Sequence, residues 1–272
     1  MQKKVKRNRI ESKSEDCRGD CDLVGLSGRE ERIVKLLQNK GELSVSTLSK
    51  NLGVSAVTIR SDLKALEAKG IIIRSHGSAM SSYHPQFIEK QTSSVDLKEA
   101  IAKKAAALIE DGDKMMVCVG TTTGLIGKYL LGKRNIQIVT NSTLLIPYAR
   151  SNPNLYLTIA GGEFKPSAEA LVGPATAKQL AEYHVAYTFT GTDGFSVEGG
   201  LSTQLMETAE IVRQMLGQGA KRILLADSTK FGKQGFVKIC PLTDIDMIIT
   251  DKGLPQRGVD EITELGIELV IV

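Results

Sequence analysis

The sequence predicts an α/β chain of two domains: a small N-terminal winged helix-turn-helix domain, then a larger domain built on a mainly parallel sheet. Three observations carry that expectation. Residues 43–74 hold two short helical periodicities separated by a glycine and followed by a brief apolar run. From Asp96 onward, apolar strand-like runs alternate with helical stretches, the pattern of strands connected by crossover helices. The basic excess sits in the first third: residues 1–90 hold 17 Lys and Arg against 11 Asp and Glu, and residues 91–272 hold 18 against 20.

That asymmetry favours a polyanionic partner for the N-terminal domain, although an excess of this size also serves solubility. At 272 residues, 42% hydrophobic and 24% charged, the chain has the composition of an ordinary globular protein. No apolar run approaches the roughly 20 residues that span a bilayer, so no membrane partner is expected. The start, MQKKVKRNRI, has no apolar stretch after its basic residues and does not read as a secretory signal. Cys17 and Cys21 have no second Cys/His pair at zinc-site spacing, and the chain has only 3 histidines. No metal and no cofactor are expected. Cys118 and Cys240 lie in apolar runs and read as buried small hydrophobes. All of this fits a reducing cytoplasm.

Residues 1–26 are rich in charge and poor in apolar groups, so a disordered arm is expected there. Residues 27–82 form the expected winged helix-turn-helix domain. Ser27-Gly28-Arg29-Glu30 has capping-box spacing ahead of Ile33, Leu36 and Leu37. Ser44 can cap a second helix whose inward face is Val45, Leu48 and Leu52. Gly53 permits a sharp turn. Val54 packs inward, Ser55 supplies the next cap, and Ile59, Leu63 and Leu66 form the buried stripe of a helix ending at Lys69-Gly70.

At 100° per residue, Val57, Ser61 and Lys64 fall opposite Ile59, with Thr58 and Arg60 beside them. That face carries cations, hydroxyls and one exposed branched apolar group, which match phosphates, base edges and a thymine methyl. Asp62 is turned toward the core side, where it can bond within the domain. An amphipathic helix pair with a glycine turn also arises without DNA, so periodicity alone leaves both readings open. The run Gly70-Ile71-Ile72-Ile73-Arg74, paired with a strand around Ser78 to Met80, makes a wing. Arg74 and His76 can reach backbone phosphates from it, and His76 reads equally well as an exposed loop histidine.

Residues 83–95 lack periodicity and read as a linker. The second domain, 96–272, opens with a helix marked by Leu97, Ile101, Ala105 and Leu108. Expected strands are Met115–Val119, Ile136–Val139, Leu155–Ala160, Val185–Thr190, Ile223–Ala226, Met247–Thr250 and Glu268–Val272. Expected helices are Gly124–Leu131, Leu144–Arg150, Ala175–Glu182, Glu207–Leu216 and Val259–Leu265. Strand order is not legible from one sequence. Ligands of open α/β sheets nevertheless bind beyond the carboxyl ends of strands, which directs attention to the loops there.

The first such loop, Gly120-Thr121-Thr122-Thr123-Gly124, combines close backbone approach, three hydroxyls and unpaired amides at a helix start, the makings of a phosphate cradle. A capped helix with threonines in its first turn gives the same string. It is not a Walker loop, because no Gly-Lys-Ser/Thr follows at the required spacing. Later loops bring Asn141, Gly161, Gly162, Asp193 and Lys230 to the same edge. A rim of hydroxyls, amides, a carboxylate and an ammonium suits a small polyhydroxylated, phosphorylated molecule. Each loop alone is a weak signal, since turns favour the same residues.

The segment from Gly53 to Leu63, continued by Leu66-Glu67, Gly70, Arg74 and His76-Gly77-Ser78-Ala79, is similar to the recognition region of the DeoR family of bacterial sugar-operon repressors. The resemblance extends over the second domain through Gly120-Thr121-Thr122, Thr140-Asn141, Gly161-Gly162, Gly191-Thr192-Asp193-Gly194 and Asp227-Ser228-Thr229-Lys230-Phe231. Two departures stand out: Ser78 where the family usually has glycine, and Cys118 where it commonly has aspartate. The resemblance implies a repressor that is not an enzyme, with a sensor domain like a sugar-phosphate isomerase, a phosphorylated sugar effector and double-stranded operator DNA as partners. Two-fold operators imply a homo-oligomer, dimer or tetramer. Two other readings are an isomerase or deaminase using Asp193, Glu207, Asp227 and Lys230, and a nonspecific nucleic-acid binder. The second fits poorly with 4% aromatic residues and no tryptophan.

Overall fold

The computed structural model describes residues 26–272. Cys17, Cys21 and the expected disordered arm, apart from Leu26, lie outside the described residues. Leu26 packs against the core of the first domain, so that core begins within the expected arm.

The first domain follows from its caps. Helix α1 (Gly28–Lys40) opens on a complete capping box between Ser27 and Glu30. Strand β1 (Leu43–Ser44) leads into α2 (Val45–Leu52), where Ser44 Oγ accepts from Thr47 N. Gly53 ends α2 in the left-handed region at φ 68°, the conformation in which a side chain would be strained. Ser55 caps α3 (Ala56–Ala68) by accepting from Thr58 N. Strands β2 (Ile72–Ser75) and β3 (Ser78–Ser81) pair antiparallel, with β1 on the other side of β3. Gly77 turns that hairpin at φ 81°, and Ser78 lies in the strand itself, so the serine does not disturb the turn.

Residues 83–95 are not an unstructured linker. Helix α4 (Pro85–Thr92) starts on proline, whose fixed φ suits the first helical position, and His84 Nδ1 accepts from Gln86 N. Phe87 and Ile88 are buried in the first domain's core beside Ile33, Leu37, Leu63 and Leu66. A helix this short repeats its apolar positions too few times to reveal a period.

The second domain carries a wholly parallel sheet. Helix α5 (Val95–Ala106) precedes β4 (Lys114–Val117), the short α6 (Thr121–Gly124), β5 (Ile136–Thr140), α7 (Ile146–Ser151) and β6 (Leu155–Ile159). A small antiparallel pair, β7 (Glu163–Lys165) and β8 (Ala170–Val172), leads to α8 (Pro174–Leu180) and β9 (Val185–Thr190). Then come β10 (Gly194–Ser196), β11 (Gly200–Thr203), α9 (Met206–Leu216), β12 (Gly219–Leu225), β13 (Val237–Cys240), β14 (Met247–Thr250), α10 (Gln256–Glu264) and β15 (Glu268–Ile271). The seven expected strands are the seven of this sheet, in the order β15-β14-β12-β9-β4-β5-β6. The expected helix over 124–131 is instead α6 followed by a 3-10 stretch, Leu125–Leu130. The antiparallel sheet β10-β11-β13 was not expected.

Alternation along β4 sends Met116 to one sheet face and Met115 and Val117 to the other, and a separate apolar core covers each. The chain winds outward from β4 in one direction through β5 and β6. It returns to β9 on the opposite side and continues through β12, β14 and β15. The β4/β9 boundary is therefore the topological switch point, where the loops leaving the two strands diverge and open a crevice.

Candidate functional site

The outward face of α3 has the predicted composition. Val57 is 73% exposed, and Arg60, Ser61 and Lys64 are exposed beside it. Thr58 is half-buried, its hydroxyl bonded to that of Ser55 at 2.9 Å. Asp62 is buried and takes a forked pair of bonds from Arg29 at 2.6 and 2.9 Å, which ties α3 to α1. Arg74 pairs with Glu67 through Nη1 at 3.2 Å, a contact that engages one nitrogen of its guanidinium. His76 is exposed in the hairpin turn. Ile73 and Met80 face each other across the wing and are exposed, an apolar patch that sequence reasoning missed although alternation in β2 contains it.

Beyond the switch point lies a cavity of about 490 Å³. Gly120, Thr121 and Thr122 line it after β4, Gly191, Thr192 and Asp193 after β9, and Asp227, Thr229 and Lys230 after β12. Gly120 is required by contact: a Cβ there would meet Thr123 Oγ1 at 2.8 Å. The Asp227 loop is held by Asp251, which accepts from Ser228 N at 2.6 Å and from Ser228 Oγ at 2.9 Å. Lys90, Ser93 and Lys98 close the cavity from the side of α4 and α5.

Five expected ligand residues, Gly120, Thr121, Thr122, Asp193 and Lys230, line this cavity. Four do not. Thr123 is fully buried, its hydroxyl spent on the carbonyls of Cys118 and Gly120. Asn141 is fully buried, accepting from Val119 N and donating to Leu171 O, both at 3.1 Å. Gly161 is bonded to Gln179, and a Cβ on Gly162 would meet Thr176 Oγ1 at 2.0 Å. These residues build the loops rather than face the space between them.

Lys98 is the principal residue that sequence reasoning missed. It is 3% exposed, and its ammonium donates to the carbonyl of Lys90 and to Ser93 Oγ. Burial pushes its pKa down to about 8, with Asp227 opposing the shift and Lys230 and Lys90 adding to it. The signal was present: Lys98 heads the spacing Lys98, Ile101, Ala102, Ala105, all buried on α5. Lys90 pairs with Asp193 at 2.6 Å. Burial raises the Asp193 carboxyl, but Lys90 and bonds from Thr203 and Gln204 outweigh it and leave the pKa below the usual range. The Cys118 thiol is fully buried in the core beneath the Gly120 loop and is pushed up to about 12, so it is neutral and apolar. Among the described residues, no group of three or more His, Cys, Asp or Glu is placed to hold a metal ion, and no helix is long and apolar enough to cross a membrane.

Comparison with known proteins settles the class. The family model for the DeoR-like helix-turn-helix domain matches residues 29–84, and that for the DeoR C terminal sensor domain matches residues 93–252. The chain belongs to the DeoR family. A regulator named GlpR from Haloferax volcanii is 33% identical over 246 residues, covering 89% of this chain and 96% of that protein. The transcriptional repressor CsqR of Escherichia coli is 26% identical over 254 residues, covering 92% and 97%. A glycerol-3-phosphate regulon repressor of Haemophilus influenzae is 27% identical over 246 residues, covering 89% and 96%. The DeoR-family relatives are named as transcriptional regulators and repressors, not enzymes. Among solved structures, ribose 5-phosphate isomerase A from Methanocaldococcus jannaschii aligns with a TM-score of 0.38 at 19% identity, over 51% of this chain and 55% of that one. That likeness is too distant to bear on the chemistry.

Proposed function

We propose that this DeoR-family chain represses a carbohydrate-utilisation operon and releases its operator when a phosphorylated sugar enters the switch-point cavity. The cavity carries the reading: ammonium groups of Lys90, Lys98, Lys230 and Lys233 surround it, and the hydroxyls of Thr121 and Thr122 and the carboxylates of Asp193 and Asp227 share its walls. Cations answer a phosphate, and carboxylates and hydroxyls answer the alcohols of a sugar. Release follows from linkage. A ligand that binds the non-operator conformation more tightly lowers operator affinity, and DNA weakens the ligand by the same factor.

In the DNA complex, α3 enters the major groove with Val57, Arg60, Ser61 and Lys64 toward the bases and the wing beside the backbone. A two-fold operator then requires a dimer or tetramer. The test is fluorescence anisotropy of the full chain on DNA from upstream of its own gene, at fixed salt, with and without phosphorylated sugars. Salt is fixed because it alone changes such affinities by orders of magnitude. Specific binding reversed by one compound is expected. Specific binding that no phosphorylated sugar reverses refutes the effector half of the reading, and absence of specific binding refutes the whole.

A further inference from the structure

Helix α4 belongs to both domains. Phe87 and Ile88 are buried in the DNA-reading core, while Gln86, Glu89 and Lys90 line the sensor cavity. Two polar links fasten its C-terminal end to the sensor. Lys98, from α5, donates to the carbonyl of Lys90 and to Ser93 Oγ, and Lys90 pairs with Asp193 at 2.6 Å.

Both links are built from groups that an anion would claim. Among the described residues Lys98 forms no ion pair: its buried ammonium donates to neutral oxygens, and the charge of Asp227 acts on it without a bond. A buried cation without a bonded counter-ion is a receptor for negative charge. Charge-assisted hydrogen bonds to phosphate are roughly twice as strong as neutral ones, which favours the exchange. Asp193, once deprived of Lys90, retains its bonds from Thr203 Oγ1 and Gln204 N.

The opposite flank of α4 meets the sensor around a cavity. This second cavity, of about 220 Å³, is lined by Tyr83, Phe87 and Gln91 and by Pro147 and Tyr148 of the sensor, with Leu144 of the sensor packed against the reader core beside it. Gln91 Oε1 is buried there without a hydrogen-bond partner. Besides the apolar contact of Leu144 with the reader core, α4 is fastened to the sensor by its two polar links.

We propose that Lys98 and Lys90 read the ligand as well as fasten α4. A phosphate in the cavity takes their hydrogen bonds, frees the Lys90 carbonyl, Ser93 and Asp193, and so releases α4, and the reader core built on it, from the sensor. This rests on the cavity being the site of a phosphorylated ligand. It adds the residues that bind the anion and the element that carries its effect to the DNA-reading domain.

The test uses the full chain and four probes: inorganic phosphate, D-ribose 5-phosphate, sn-glycerol 3-phosphate and D-glucose 6-phosphate. Calorimetry reads binding, anisotropy reads operator affinity, and amide hydrogen exchange reads residues 88–93. In the unsubstituted protein, a probe that binds is expected to speed exchange across 88–93 and to weaken operator binding at least tenfold. Lys98→Met is expected to bind that probe at least tenfold more weakly and to show fast 88–93 exchange without it. Lys90→Gln is expected to show the same exchange signature with a smaller loss of binding. Lys221→Ala, whose ammonium pairs with Glu268 at the other end of the strands, serves as the control and is expected to change neither. Unchanged probe affinity in both Lys98→Met and Lys90→Gln, with operator release intact, overturns the inference and leaves the sensor reading standing. Probe binding without faster 88–93 exchange also overturns it. If none of the four binds and exchange across 88–93 in Lys98→Met matches that of the unsubstituted protein, the inference falls, while the sensor reading is decided separately by operator release across the wider set of phosphorylated sugars.

Discussion

Replacing Asn141 with alanine separates a loop-building role from a ligand-binding one. Asn141 is fully buried at the end of β5; its Oδ1 accepts from Val119 N and its Nδ2 donates to Leu171 O, both at 3.1 Å. Val119 directly precedes Gly120, so the amide holds the first ligand loop against β5 and β8. Alanine leaves a buried N–H and a carbonyl without that partner. At about 1–3 kcal/mol for each unsatisfied group, the expected loss is about 3 kcal/mol, because the half-exposed end at Leu171 is partly recovered by water. For a domain of this size each kcal/mol lowers the Tm by about 2–4 °C, which gives a drop of roughly 6–12 °C by calorimetry. Affinity for a phosphorylated ligand is expected to fall alongside stability. A Tm within about 2 °C of the unsubstituted protein, together with lost ligand binding, would show that Asn141 touches the ligand directly and refute the reasoning.

Three further outcomes are expected. Arg60→Ala should reduce the ratio of specific to nonspecific DNA affinity by about 1–3 kcal/mol in anisotropy titrations; an unchanged ratio places the reading face elsewhere on α3. Gly162→Ala should destabilise the second domain by about 1–3 kcal/mol in urea melts, because the new methyl collides with Thr176 Oγ1 and the Val172 carbonyl at 2.0 and 2.6 Å. The third concerns pH. The groups around Lys98 are Lys90, Ser93, Asp227 and Lys230, and burial sets its pKa near 8, below the 10.5 of an exposed lysine. Sulfate affinity, free of ligand titration, should therefore fall between pH 7 and 9 and become less pH-dependent in Lys98→Met. The unfolded chain holds the extra proton between about pH 8 and 10.5, so this group's contribution to stability rises with pH across that window.

Much of the architecture was legible because it rests on local rules. The capping serines 27, 44 and 55 sit where their spacing to the next apolar stripe requires, and each bonds the third residue on. All seven sheet strands announced themselves as apolar runs because both faces of a parallel sheet are buried. Helix α4 escaped notice because two turns show no period and its two buried apolar residues belong to a distant core.

The candidate site was legible only at the level of loops. Sequence by itself determined that glycine, hydroxyl and carboxylate loops follow strands at one sheet edge, since alternation of strand and helix puts every such loop on the same side. It also determined the exposed face of α3, because a single helix fixes which residues oppose its buried stripe. Tertiary structure alone decided that β4 and β9 are neighbours and open the crevice. It turned Thr123, Asn141 and Gly162 inward as supports. It also brought Lys90 and Lys98 from α4 and α5 to the cavity wall. Those outcomes depend on strand order and on packing between segments far apart in sequence, and strand order leaves no local pattern to read.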